Sequence, residues 1–370
     1  MKLSNPMTIV KNSYTTQPES LEQLRNDFVR IKAEQKLRNR EAAFALGISE
    51  GEVLAAFVGE HVVRLDTRFI ELFEEVPMLG SVMALTRNDA AVHEKDGQFA
   101  NMSHEGPTGI ALGDPIDLRI FYSKWAAGFA VTDVTPRGTL KSLQFFDAQG
   151  HATHKVYLRE HSNHAAYAAF VERWAHAEQT AGMTVTAAPA APVPTPEEDI
   201  DVHAFHAAWH AMTDTHQFFG LLRKFRLART QALRLAESRY AQRVANDAIA
   251  TVLNQAAQTE LPIMVFVGNH GMIQIHTGPV KTIQSMGPWL NVLDPGFNLH
   301  LRTDLIDSAW VVRKPTSDGI VTSLELFDCK GDSIAMLFGA RKPGSPELAG
   351  WRELIANIAP VMENIAEVTA

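Results

Sequence analysis

Two stretches decide how this chain is built: GTLKSLQFFDAQG at 138–150 and GIVTSLELFDCKG at 319–331. Each opens on a glycine, alternates apolar and polar side chains as a half-buried strand does, and closes in a turn of Asp and Gly. They stand at an offset of 181 residues (138 to 319). The same offset lays TRNDAAVHEKDGQF (86–99) on VGNHGMIQIHTGPV (267–280) and Asp117-Leu118-Arg119 on Asn298-Leu299-His300, without a gap. A register kept over roughly sixty positions marks an internal duplication. Each half runs helices first and strands second, so the fold class expected is α+β: a tandem duplication, each half a large antiparallel β-sheet with flanking helices.

A chain of 370 residues suits two domains. Between the copies lies AGMTVTAAPAAPVPTPEED (181–199), rich in Ala and Pro and without helical or strand period, which reads as a linker. The expected domains are therefore 1–180 and 200–370. In the first, Ser20 with Gln23 and Ser49 with Glu52 have capping-box spacing ahead of helical stretches, and strands begin near Gly80. In the second, 201–225 predicts one or two helices, 229–258 a further helical region, 261–338 strands, and 345–367 a closing helix after Pro343-Gly344-Ser345-Pro346.

Hydrophobic residues make up 46% and charged residues 21%, ordinary usage for a folded globular protein. The formal charge of -8 argues against the broad basic face that nucleic acid requires, so no nucleic-acid partner is expected. Cys329 is the only cysteine, the start MKLSNPMTIVKNS holds no apolar run, and no stretch is long and apolar enough for a membrane span. A cytoplasmic location is the expectation.

Fifteen histidines invite a test for metal chemistry. His206 and His210 have the spacing of a zinc helix, but the residues between them are AAW and the general-base Glu is missing. The pairs His151/His154 and His161/His164 are expected at the surface. Trp209, Met212, His216 and Phe219 recur at spacings of three, four and three, which predicts one helix face and sets His216 in an apolar stripe. Such a histidine is either a core residue satisfied by a carbonyl or an imidazole facing a flat apolar ligand. Nucleotide-binding glycine loops and the serine-hydrolase elbow are missing.

The string WHAMTDTHQFFGLLRKFRLARTQAL (209–233) resembles the segment that carries the proximal histidine in haem utilisation proteins of the HemS/ChuS, haemin-degrading type. Further strings resemble the same family in family order: LTRNDAAVHEKDG (85–97), IDLRIFYSKWA (116–126), QFFDAQG (144–150), IMVFVGNHGMIQIHTG (263–278), WLNVLDPGFNLHL (289–301) and RKPTSDGIVTSLELF (313–327). The resemblance implies a haem b (haemin) protein with His216 as axial ligand to the iron. It implies that Arg119 reaches the opposite, distal face in a site between the halves, and that Arg229, Lys314 and Arg341 line the pocket near the propionates or the haem edge. Met336 and Phe338 stand where the family often has Gln and Tyr, which makes that wall more apolar. The extra histidines that some members carry after the axial one are replaced by Gln217 and Phe219. Because the first repeat has no TDTHQFF string, one haem per chain is expected.

A single imidazole leaves the sixth position of the iron open, and a guanidinium is always charged and has five donors. The resemblance therefore implies oxidative haem degradation with O2 and an external reductant, Arg119 acting on the distal side. Its alternative is a carrier that delivers haem to a separate haem oxygenase. The partners implied are a haem ABC importer on the cytoplasmic side, and a haem oxygenase or a reductase.

Overall fold

The computed structural model describes residues 14–136, 138–191, 193–342 and 344–361. The first repeat opens with helices α1 (Pro18–Gln35), α2 (Asn39–Ala45) and α3 (Glu50–Ala56), then strand β1 (Val62–Arg64) and helix α4 (Phe69–Glu74). Strands β2 (Val82–Arg87), β3 (Ala91–Gly97), β4 (Met102–Glu105), β5 (Thr108–Leu112) and β6 (Asp117–Phe121) follow. It closes with β7 (Ala127–Thr135), β8 (Gly138–Phe146), β9 (Ala152–Leu158) and helix α5 (His164–Trp174).

The second repeat repeats the order: helices α6 (Val202–His210), α7 (Gln217–Phe225) and α8 (Arg229–Leu235), strand β10 (Ala241–Val244) and helix α9 (Ala248–Gln258). Then come β11 (Ile263–Gly268), β12 (Met272–Gly278), β13 (Ile283–Met286), β14 (Trp289–Asp294) and β15 (Phe297–Arg302). Strands β16 (Ser308–Thr316), β17 (Gly319–Phe327) and β18 (Ser333–Gly339) lead to α10 (Ala349–Ala356). Among the described residues no helix is long and apolar enough to cross a membrane.

The strands form two nine-stranded antiparallel sheets with flanking helices. Their orders are β1-β7-β8-β9-β2-β3-β15-β14-β13 and β10-β16-β17-β18-β11-β12-β6-β5-β4. Each sheet thus takes six strands from one repeat and three from the other, an exchange that alternation along single strands does not reveal. The quoted stretches are β8 and β17, central strands whose inward residues Leu143, Phe145, Leu324 and Leu326 are buried.

The chain divides into two compact units. The first gathers the described residues up to Thr86, Lys95–Pro189 and Asn269–Ile273; the second gathers Arg87–Glu94, Ala190–Gly268 and the described residues from Gln274. Two asparagines at equivalent positions fix the borrowed segments. In the second unit Asn88 donates to the carbonyls of Gly268 (3.0 Å) and Ile334 (2.8 Å) and accepts from the amides of Ala90 and Ala91. In the first, Asn269 donates to the carbonyl of Thr153 (2.9 Å) and accepts from Gly271 N (2.9 Å). Gly271 is obligatory there, since a Cβ would stand 2.6 Å from Thr153 Cγ2.

Each unit holds two cores. In the first, Phe73, Phe99, Trp125 and Phe145 anchor one, and helices α1 to α3 cover Phe129, Val131 and Phe146 in the other. In the second, α9 and α10 pack on Val265, Leu324 and Leu337, while α6 to α8 cover Trp310, Val312 and Phe327.

Several local expectations need correction. Ser49 and Glu52 form the capping box on α3, but α1 starts at Pro18, so Ser20 lies inside it and accepts from Thr15 N instead. The region 229–258 is not continuously helical, because β10 separates α8 from α9 and pairs with β16. The closing helix is Ala349–Ala356; Pro343 and residues 362–367 lie outside the described residues.

Candidate functional site

His216 does not sit on a continuous helix. Helix α6 stops at His210, the chain turns, and α7 begins at Gln217 with His216 as its N-cap residue. The apolar spacing is therefore misleading: Trp209 and Met212 turn into the core, whereas the His216 side chain is 95% exposed and Phe219 is exposed too. Polar side chains make the break, since Thr and Asp offer the backbone local partners that compete with helix. Thr213 N donates to Gln217 Oε1 (2.9 Å), and Gln217 Nε2 donates back to Thr213 Oγ1 (3.2 Å). The carbonyl of Thr213 accepts from Ser317 N (2.9 Å), in the turn between β16 and β17.

The imidazole is set by Asp214. One oxygen, Oδ1, accepts from His216 N (2.7 Å) and lies 2.7 Å from His216 Nδ1. Hydrogen bonds from the His216 backbone and ring, aided by the charge of Arg341, hold the Asp214 carboxyl below its ordinary range. With Nδ1 facing the carboxylate, Nε2 is the nitrogen turned to solvent, and it has no partner among the described residues.

A second feature lies on β16, β17 and α8. Glu325 is fully buried, and Arg229, first residue of α8, grips it with two nitrogens at 2.8 and 2.9 Å. Lys314 Nζ donates to Glu325 at 2.7 Å, and Ser323 Oγ at 2.9 Å. The Phe218 ring packs beneath both cations, 5.0 Å from the guanidinium and 4.9 Å from the ammonium. Burial drives the Glu325 pKa up, but the charges of Arg229 and Lys314 outweigh it and bring it down to about 2. Burial, reinforced by the neighbouring Arg229, pushes the Lys314 pKa down, because Lys314 has only a share of one carboxylate. Two cations on one anion leave the cluster with a positive charge in excess.

Beside it runs an apolar wall. Glu325 stands opposite Met336 and Ser323 opposite Phe338 in the β17–β18 register, while Met264 and Phe266 of β11 face Phe338 and Met336. These four Met and Phe side chains are half-buried, and their neighbours Ile263, Val265 and Leu337 turn to the core. The Phe266 and Phe338 rings are 5.0 Å apart, and Arg229 reaches Met336 Sδ at 3.5 Å. Arg341 pairs with Asp318 (3.1 Å), and its buried Nε has no partner among the described residues.

Arg119 lies on β6, partly exposed, paired with Asp117. It belongs to the first unit, and the other six predicted site residues to the second. Of the remaining histidines, His206 bonds the Leu235 carbonyl (2.7 Å) and His210 the Tyr240 hydroxyl (2.6 Å). His151, His161 and His164 are exposed, but His154 is not: it is buried against Thr86 Oγ1 (2.9 Å), and burial pushes its pKa down to about 3. Sequence reasoning missed Asp214, Phe218 and Glu325. The signal for Glu325 was a carboxylate inside the apolar alternation of SLELF.

Residues 47–174 and 226–358 match the family described as the haemin-degrading HemS.ChuX domain, one match in each repeat. The chain belongs to this family. Among its relatives, the HemS.ChuX chain is 39% identical over 338 residues to the hemin transport protein HmuS of Yersinia pestis, covering 90% of this chain and 97% of that one. It is 40% identical over 321 residues to the hemin transport protein HemS of Yersinia enterocolitica, covering 86% and 92%. Among solved structures, it is similar to holo-PhuS, a heme-binding protein from Pseudomonas aeruginosa, at 45% identity and a TM-score of 0.90, covering 92% of this chain and 99% of that one. The Escherichia coli O157:H7 heme degrading enzyme ChuS matches at 38% identity and a TM-score of 0.86, covering 92% and 100%.

Proposed function

We propose that this HemS.ChuX chain binds haem b through His216 Nε2 and degrades it oxidatively to release iron, in the cytoplasm, with O2 and an external reductant. The observation that carries the reading is the imidazole itself: exposed, oriented by Asp214, with Nε2 turned outward. The donor set fits haem. One neutral nitrogen serves the iron, the Met and Phe wall suits the macrocycle, and the cation excess around Glu325 with the unpartnered Arg341 Nε suits propionate carboxylates. In this reading Arg229, Lys314 and Arg341 hold the propionate side, and Met336 and Phe338 line the ring. Arg119 is assigned the distal face on the family resemblance alone. There its guanidinium would supply hydrogen-bond donors, and bound haem would supply the O2 chemistry. A haem importer would deliver the haem, and a reductase would supply electrons.

A second reading is haem carriage to a separate oxygenase, in which the same exposed His216 would hold the haem during delivery.

The test is to titrate the protein with haemin, then add ascorbate or a reductase with catalase present to remove free peroxide. Loss of the Soret band with a verdin-like product and free iron is expected. Stable haem that moves to a partner oxygenase would establish the carrier instead. Arg119→Ala should spare uptake more than turnover; equal loss of both would remove it from a distal role.

A further inference from the structure

The turn that carries His216 is more constrained than an exposed connection needs to be. The His216 ring has almost no packing to hold it, being 95% exposed. A side chain with that freedom would lose rotamer entropy on binding anything. Asp214 removes the freedom beforehand: its Oδ1 takes the His216 amide and faces Nδ1, both at 2.7 Å, so backbone and ring are referred to one oxygen atom. The turn that carries Asp214 is itself anchored, because Thr213 and Gln217 bond reciprocally across it and Ser317 ties the Thr213 carbonyl to the β16–β17 connection.

We propose that Asp214 is a positioning residue that acts through His216, fixing the tautomer that presents Nε2 and strengthening Nε2 as a donor to haem iron. The proposal rests on the reading of His216 as axial ligand. A carboxylate accepting the Nδ1 proton makes an imidazole more basic at its other nitrogen, and such partners tune metal affinity as well as ring orientation. A purely structural account has Asp214 as the acceptor that starts α7. That account predicts no effect on the iron in a variant that keeps the acceptor for His216 N, and an exposed His–Asp contact contributes little to stability in either account.

Asp214→Asn separates the two accounts, since the amide oxygen can still accept from His216 N while the charge is gone. Full-length wild type, Asp214→Asn, Asp214→Ala, Asp214→Glu and His216→Ala are titrated with haemin and followed by urea unfolding, absorbance and resonance Raman of the reduced haem complex. Asp214→Asn is expected to keep a histidine-ligated spectrum, to lower the Fe–N(His) stretching frequency and to weaken haem binding about tenfold, with its unfolding midpoint unchanged. Asp214→Glu should recover part of both shifts, and Asp214→Ala should lose at least as much as Asp214→Asn. A wild-type Fe–N frequency in Asp214→Asn overturns the proposal whatever the affinity does, leaving Asp214 a structural residue and His216 still the ligand. A His216→Ala protein whose haem spectrum matches wild type overturns both the ligand reading and this one.

Discussion

The helical layers that open the two repeats rest on equivalent strand positions, and they place their buried carboxylates on opposite elements, the helix in one and the strand in the other. In the first, α1 to α3 cover Phe129, Val131 and Phe146; in the second, α6 to α8 cover Trp310, Val312 and Phe327, each 181 positions on (129 to 310). The first residue of α3 is Glu50, paired with Lys155 of β9 at 2.5 Å, both almost fully buried. The first residue of α8 is Arg229, and its partner Glu325 stands at the position of Gln144 in the first repeat and is shared with Lys314. In the first layer the helix supplies the carboxylate and the strand the cation; in the second the strand supplies the carboxylate, and two cations share it. Buried charge is costly unless it is well compensated, and strongly perturbed groups such as Glu325 and Lys314 cluster at functional sites. The contrast teaches that duplication kept the apolar scaffold and diverged in the ions placed upon it.

Breaking the shared carboxylate should have the largest effect. Glu325→Gln strands two cations and should cost about 3–5 kcal/mol in urea unfolding. The sign with pH follows from a carboxyl lowered from 4.5 to about 2: its contribution is complete above pH 4.5 and is lost as pH falls through about 2. That segment of the acid limb should vanish in the variant.

Next comes the Glu50–Lys155 pair. Lys155→Met copies the residue found at the same place in the second repeat and takes the lysine from the buried Glu50, at about 3 kcal/mol. Adding Glu50→Gln should restore most of the loss, because removing both ions together is nearly neutral. A double variant as unstable as the single would mean that the pair organises α3 beyond its charge balance.

The turns that abut these helices sharpen the comparison. Gly150 and Gly331 both have positive φ, +76 and +81, but a Cβ would stand 2.1 Å from Ser49 Oγ at the first and 3.1 Å from Thr230 Oγ1 at the second. Gly150→Ala should cost about 2–3 kcal/mol and Gly331→Ala about 1–2. Equal losses would show that conformation alone, not space, sets the requirement.

Smallest of all, His216→Ala should leave the unfolding midpoint within about 0.5 kcal/mol of wild type, since the ring touches little but Asp214. A large loss would place His216 in the core of its layer after all.

The duplication, the strands and the α3 cap were legible because each rests on a local pattern: alternation of period two, or Ser49 three residues before Glu52. The break at 211–216 was hidden because Trp209, Met212, His216 and Phe219 keep helical spacing by coincidence, while the hydrogen bonds of Thr213, Asp214 and Gln217 end the helix. Strand β10 is only four residues long, too short for periodicity to separate it from the helices on either side. His154 looked like its exposed neighbours because nothing along the chain announces Thr86 beside it. The seven predicted site residues came from resemblance, and the carboxylates that partner them, Asp214 and Glu325, came only from the structure.

The borrowed segments at Asn88 and Asn269 bear on how this molecule could ever be dissected. A protease nick anywhere in 181–199 yields one piece that lacks Asn269–Ile273 and another that lacks Arg87–Glu94, so neither fragment contains all the chain of the unit it mostly supplies. Gene fragments cut at the repeat boundary should behave accordingly when expressed apart, and co-expression of the two pieces is the arrangement that returns every strand to its sheet.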